Sequence, residues 1–516
     1  MIARCVSAFI LCGVLVFGAT RDQSSIHRMV VGNRAFEVSD VVELTTRADG
    51  YVCYAWISRD GKYVAARIAD DPEKSDARRL VLLRSSGGRP VTLFTVSAGQ
   101  DEGEFSSPGE YVLPSPSENC GVAWSPDSKL IAFPAERVVV GREGDSSFVS
   151  IIVITPLGLR RATFDLPNEF GLRGEIVWSR DSRRLACQIQ SLTYSDGDTP
   201  KLKCGILACD IARGVGETPV TQDSGSVGPV FWSDDGASLV YTSLVGEKRN
   251  LQLREVRLHG GGDTLIQDDY RASGLSPDRK LRVTTDKGLQ VENLITRETT
   301  TVLKEFKWTF PTWTPDSRML AYERLNELWD ENRARSEETA SIWLALPQSG
   351  LRNHMCVVSD ADPDVSPSFS ADCLRMAYIS RGRLRLAELA WRDLTVDEKL
   401  AAGIPLTEQE EKGKMLENAK KIAAALAMYD GDWDGRLPFG DNVTDLLLPY
   451  LRGFRAESFQ NPFFRPGTET PIFQYYEFLS LQSIQYPATT IIGVLDSGFA
   501  WRVIIYADGH VIIQPK

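Results

Sequence analysis

Between residues 430 and 441 the chain places carboxylates at alternate positions, Asp430, Asp432 and Asp434, followed by Gly435, with Asp441 at the twelfth position of the run. Alternate carboxylates can converge on a hard cation such as Ca²⁺, the glycine permitting the sharp turn and the backbone carbonyl of Arg436 adding an oxygen. The twelfth residue of such a loop is normally a bidentate Glu, and here Pro438 fills the ninth position. The same residues therefore also fit an acidic turn that stops a helix, and both readings stand at this level.

Other chemistry is sparse. The four histidines, His27, His259, His354 and His510, show no metal-ligand spacing and no acidic neighbour in sequence, and read as solvated or turn residues. No G-x-S-x-G, HExxH, phosphate-cradling or dinucleotide-binding glycine motif occurs. Carboxylates from loops distant in sequence can still meet in the folded chain, so an acid and base assembled from them is the alternative to a binding role.

The N-terminus carries Arg4, an apolar run from Cys5 to Phe17, and small residues at Gly18 and Ala19. This predicts a signal peptide over 1–19 and an extracytoplasmic protein, since the run is short of the roughly 20 residues that span a bilayer. Leu11 before Cys12 argues against lipid attachment. The remaining cysteines, Cys53, Cys120, Cys187, Cys204, Cys209, Cys356 and Cys373, are odd in number, so at least one stays unpaired within the chain. A net charge of −11 without a basic run disfavours nucleic acid and acidic lipid surfaces as partners.

The elements that would position any site come from a repeat. Seven segments superpose, among them GVAWSPDSKLIAF, EIVWSRDSRRLAC and PTWTPDSRMLAY. Each has a bulky residue (Ile57, Trp124, Trp178, Trp232, Leu275, Trp313, Phe369), then Ser or Thr, and an aspartate three residues on (Asp60, Asp127, Asp181, Asp235, Asp278, Asp316, Asp372). Pro, Asp and Gly or Ser make this a turn between two strands, and the apolar triplet that follows suits a buried strand. Copies 38 to 67 residues apart leave room for four-stranded blades with variable loops. The expected fold is therefore mainly β, a seven-bladed β-propeller, or six-bladed if the weak fifth copy around Leu275 and Arg279 fails. The last blade lacks a strand, which the segment from Arg34 to Leu44 is expected to supply.

The WSPDS motif with its apolar strand resembles the WD-repeat-like propellers of the TolB type over about residues 31–393. Relatives with this repeat include bacterial periplasmic scaffold proteins and the gating propellers of prolyl oligopeptidases, so the resemblance implies export and partner binding.

After a linker over 394–407 the period changes to 3.6. Met415, Ala419, Ile422, Ala423 and Leu426 share a helix face from about Glu408, with Thr407 and Glu410 as a capping box. The phrase ENAKKIAAALAMYDGDWDGRLP and the ending YADGHV resemble pseudopilin-like proteins, without the membrane-embedded half of their helix. A small α+β domain over 408–516 is expected, with Asp508-Gly509 as a hairpin turn. The functional expectation is a non-enzymatic scaffold that binds a protein or peptide through the propeller face. The alternative is a propeller hydrolase or lyase acting on glycans or peptides.

Overall fold

The structure is a computed structural model. It describes residues 28–516 apart from 70–78, 96–110, 113–120, 142–143, 168–169, 194–200, 223–226, 246–249, 259–261, 268–273, 286–287, 305–310, 327–338, 348–353, 363–366, 441, 452–460, 467, 469, 479 and 497–499. The signal-peptide expectation, His27, Cys120, His259 and Asp441 lie outside the described residues. The chain divides into two compact units, one over Phe36–Ala390 together with the residues up to Met29, the other over Trp391–Lys516 with Val30–Ala35.

In the first unit, and among the described residues, seven antiparallel sheets follow one another, one per motif. The first shows the pattern: Tyr51–Ile57, turn, Tyr63–Ala69, Arg79–Arg84, Val91–Thr95. The weak fifth motif forms its own sheet of three strands, its first strand reduced to the bridge between Leu275 and Arg282. In the seventh, Arg34–Glu43 pairs with Arg383–Asp393 and completes the sheet, as the sequence required.

All seven turns are built alike. The motif Ser or Thr hydroxyl donates to the aspartate Oδ1 at 2.6–2.7 Å. The same Oδ1 accepts the amide two residues on at 2.9–3.1 Å. The residue after each aspartate (Gly61, Ser128, Ser182, Gly236, Arg279, Ser317, Cys373) has φ between +58° and +69°. That left-handed residue closes the reversal.

Neighbouring sheets are fastened at these turns. The Trp124 Nε1–H donates to the Trp56 carbonyl, Trp178 to Ala123, Trp232 to Val177 and Trp313 to Gly274, at 2.9–3.1 Å. The Asp60 amide donates to Ser128 Oγ at 3.0 Å, Asp127 to Ser182 at 3.1 Å and Asp278 to Ser317 at 2.9 Å. Between fourth and fifth sheets Arg279 lies 3.7 Å from Asp234. Between sixth and seventh the Asp316 amide meets the Cys373 sulfur. The seventh sheet returns to the first: the Ala371 amide donates to the Arg59 carbonyl at 2.8 Å and the Ile57 amide to Ser368 Oγ at 3.1 Å.

Apolar layers fill the spaces between sheets. Val64, Ala66 and Ile68 of the first sheet pack with Ala377, Ile379 and Leu386 of the seventh, while Ala65 on the opposite face packs with Ile131 and Phe133 of the second. The alternation of a strand thus supplies two interfaces. Sheets joined side by side, last to first, around their first strands define a β-propeller.

In the second unit, α1 (Val396–Ala401) falls inside the segment expected to be a plain linker; Thr395 and Glu398 cap it. Helix α2 (Glu408–Asp432) starts at the expected capping box, and its buried face carries Met415, Ala419, Ile422, Ala423 and Leu426. That face packs with a four-stranded antiparallel sheet of Phe473–Tyr475, Ile491–Asp496, Trp501–Tyr506 and Val511–Pro515. The Asp508-Gly509 turn joins the last two strands, with Gly509 at φ +84°.

Candidate functional site

The acidic run at the end of α2 is a helix terminus. Asp430 and Asp432 belong to the last helical turn, where residues two apart point about 200° from one another. Asp430 Oδ1 accepts the Leu481 amide at 3.3 Å, and Asp432 is hydrogen-bonded by the Tyr450 hydroxyl. Asp434 and Gly435 then adopt φ +52° and +81°, and the Gly435 amide donates to the Asp430 carbonyl at 2.7 Å. This is a left-handed C-terminal cap. The expected Ca²⁺ loop would bring these carboxylates together with Asp441, which lies outside the described residues; Asp430 and Asp432 themselves diverge from the helix. Arg436 is drawn into the cap through its amide, which donates to the Trp433 carbonyl. Among the described residues no group of three His, Cys, Asp or Glu side chains is placed to hold a metal ion. Trp433, which the sequence left unexplained, stacks on Tyr429 one turn earlier, ring centroids 5.6 Å apart.

The histidines that are described serve local structure. Tyr322 Oη lies 2.8 Å from His354 Nδ1. His510 stacks on Tyr506 and pairs with Asp508, a partner two residues away that sequence spacing did not flag. Tyr241, Tyr322 and Tyr378, at matching motif positions, are buried, and burial raises their hydroxyl pKa values.

The feature that sequence reading missed is what the repeated turn presents outward. One position, between the hydroxyl residue and the aspartate, recurs at the same corner of every sheet: Arg59, Pro126, Arg180, Asp234, Pro277, Pro315 and Ala371. Six of the seven are exposed and Pro315 is half-buried. The Ser128 and Ser182 bonds tie the first three corners in succession, so Arg59 and Arg180 stand on either side of Pro126. Arg59 is accessible at its surface yet enclosed by protein mass. Burial lowers its guanidinium pKa, with Cys373 nearby acting in the opposite sense. Asp234 is engaged by Arg279. The signal for this ring was present in the motif, as the variable residue between two fixed ones.

A second perturbed charge is Glu175, between the Gly171–Leu172 and Val177–Trp178 strands of the third sheet. It too is surface-accessible, and burial pushes its carboxyl above the ordinary range.

These sheets and corners make the chain a β-propeller protein with a small α+β C-terminal unit. No protein-family model matches the chain, and no curated protein matches it in sequence. Solved structures similar to it include an oligogalacturonate lyase in complex with manganese, 15% identical, covering 70% of this chain and 99% of that one, TM-score 0.42. An oligogalacturonate lyase from Vibrio parahaemolyticus is 14% identical over 70% of this chain and 98% of that one, TM-score 0.40. Prolyl oligopeptidase B from Galerina marginata is 12% identical over 64% and 47%, TM-score 0.41. Likenesses at this level carry no weight for activity, and the propeller assignment rests on the sheets and turns themselves.

Proposed function

We propose that the chain is a non-enzymatic, extracytoplasmic scaffold that holds a protein or peptide partner on the propeller face where the seven Asp-bearing turns meet, with the C-terminal unit as a second contact. The observation supporting this most directly is the ring of corner side chains. Within each turn the hydroxyl and carboxylate are already engaged, so the variable outward residue is what a partner meets. Prolines at three corners give it a rigid apolar surface, and two arginines give it charge. Export is read from Arg4 and the apolar run behind it. Kinship with TolB-type propellers and with pseudopilin-like proteins belongs to the same reading. Among the described residues no helix is long and apolar enough to cross a membrane.

A photo-crosslinking residue at Pro126 in the mature chain, exposed to an extract of its own source, tests the reading. Protein adducts are expected from position 126 and none from the outer-strand position Val215, which is also exposed. Failure of position 126 to yield adducts overturns it.

One observation favours the alternative of a propeller hydrolase or lyase, namely Glu175, whose raised carboxyl suits a general acid. Turnover of glycan or peptide substrates that Glu175→Gln abolishes would establish that alternative.

A further inference from the structure

The gap between the first and second sheets is open at their outer strands. Leu80 and Leu82 of the first sheet pack with Ile152 and Ile154 of the second. In the outer strands Phe94 and Val91 lie opposite Leu80 and Leu82, and Thr163 and Arg160 lie opposite Ile152 and Ile154, so these residues face the same gap. Phe94 closes its inner end against Phe133, ring centroids 5.4 Å apart. Val91 is 57% exposed there, and the neighbouring turn of the second sheet holds out Leu157 at 84% and Leu159 at 59%. The two sheets meet at this point, since a Cβ on Gly158 would stand 3.8 Å from Leu93 Cδ2. Turns favour Gly, Pro, Asn, Asp and Ser, yet the hydrogen bonds that join Thr155 to Gly158 and Leu159 fix Leu157 at the tip. Three exposed apolar side chains joined through Leu93 form a contiguous patch and not scattered surface residues.

The charge around this patch has one sign. Residues 84–95 and 155–164 contain Arg84, Arg89, Arg160 and Arg161 and no Asp or Glu, and all four arginines are exposed. The adjoining turns are balanced in themselves: Ser85 donates to the Lys62 carbonyl, bringing up the pair of Lys62 and Asp60 at 3.4 Å, while Asp127 has Lys129 beside it. Resting on the scaffold reading above, we infer that this gap seats an acidic segment of the protein partner. Its apolar side chains enter between Val91, Leu93 and Leu157, and its carboxylates meet Arg89 and Arg161, each two residues from an exposed apolar side chain. An anionic lipid surface fits less well, because it repels a chain of net charge −11. The apolar residues also line a gap between two sheets, which a side chain enters and a bilayer does not.

The test is fluorescence anisotropy with the mature chain and three labelled twelve-residue peptides: one of Glu, Leu and Gly, one with Lys for each Glu, and one with Ser for each Leu. The first is expected to bind, more weakly as salt rises, and the other two at least about tenfold less tightly. Leu157→Ser with Leu159→Ser should weaken binding of the first peptide by about tenfold or more, and Arg89→Ala with Arg161→Ala by a similar factor. Ile295→Ser, at a turn of the fifth sheet where the side chain is 73% exposed, should leave affinity unchanged. Phosphatidylglycerol vesicles serve as the lipid probe.

No binding of the peptide of Glu, Leu and Gly overturns the inference, as does unchanged affinity in either double variant with its circular dichroism intact. So does equal binding of the Lys peptide, or capture of the chain by the vesicles at lower concentration than the peptide requires. The scaffold reading is judged separately by the Pro126 crosslink. Adducts that persist undiminished in the Leu157→Ser, Leu159→Ser variant refute this seat and leave the scaffold, whereas no adducts in the otherwise wild-type chain refute both.

Discussion

The Trp124 indole N–H donates to the backbone carbonyl of Trp56 at 2.9 Å, joining residues 68 positions apart in the chain. The bond sits where the first strands of two sheets come side by side, and Trp178, Trp232 and Trp313 repeat it one sheet further on. Each tryptophan therefore both fills an apolar layer and donates a hydrogen bond to the backbone of the preceding sheet.

Trp124→Phe retains most of the ring's packing but removes the indole hydrogen bond to the Trp56 carbonyl. The expected cost is about 1–2 kcal/mol, read from the urea midpoint at unchanged slope. Trp124→Ala should cost about 3–5 kcal/mol because a cavity is added. Equal midpoints for wild type and Trp124→Phe would remove the hydrogen bond from the account.

At the left-handed corner Ser128 does two things: it adopts φ +60° and accepts the Asp60 amide. Ser128→Ala keeps the strained backbone and loses the acceptor, so thermal denaturation should show a loss of about 1–3 kcal/mol. Ser128→Gly loses the acceptor but relieves the strain, and should fall between the two. A glycine variant less stable than the alanine variant would contradict the turn geometry.

In the C-terminal unit, hydrogen bonds from Arg392 hold Glu398 down at about 2, and Lys399 does the same for Glu410. Folded-state values below the ordinary 4.5 mean stability that is present above that pH and lost as pH falls toward 2. Hydrogen exchange of α2 should accelerate across that window. Glu398→Gln with Glu410→Gln should flatten the dependence, and a wild-type profile without slope there would be a failure.

The α2 terminus gives a further test. Because Asp430 and Asp432 diverge from a helix, millimolar Ca²⁺ should move the melting temperature by no more than about 1 °C. Gly435→Ala should lower it, since φ +81° is costly for any side chain. A large Ca²⁺-induced rise would restore the metal loop.

How much of this was legible beforehand follows physical lines. Turn chemistry and strand alternation are local, so the seven motifs, the capping box at Thr407 and the hairpin at Asp508-Gly509 could be read directly. The strand that Arg34–Glu43 contributes was legible by subtraction, because the last sheet lacked one. The acidic run was ambiguous because alternate carboxylates look the same in a loop and at a helix end, and where the helix stops is set by packing such as that of Trp433 on Tyr429. The Arg59 and Arg180 corner was not legible, since its meaning depends on which turns become neighbours around the axis, and that is set by packing between sheets.

The central claim is that the seven Asp-bearing turns are equivalent corners about one axis. Spin-label distances test it most directly, with one label set at the corner positions 59, 180 and 234 and another at the exposed outer-strand positions Val91, Val215 and Leu265 of the same sheets. For each pair of sheets the corner distance should be clearly shorter than the outer one. Corner distances as long as the outer distances, or longer, would contradict the account.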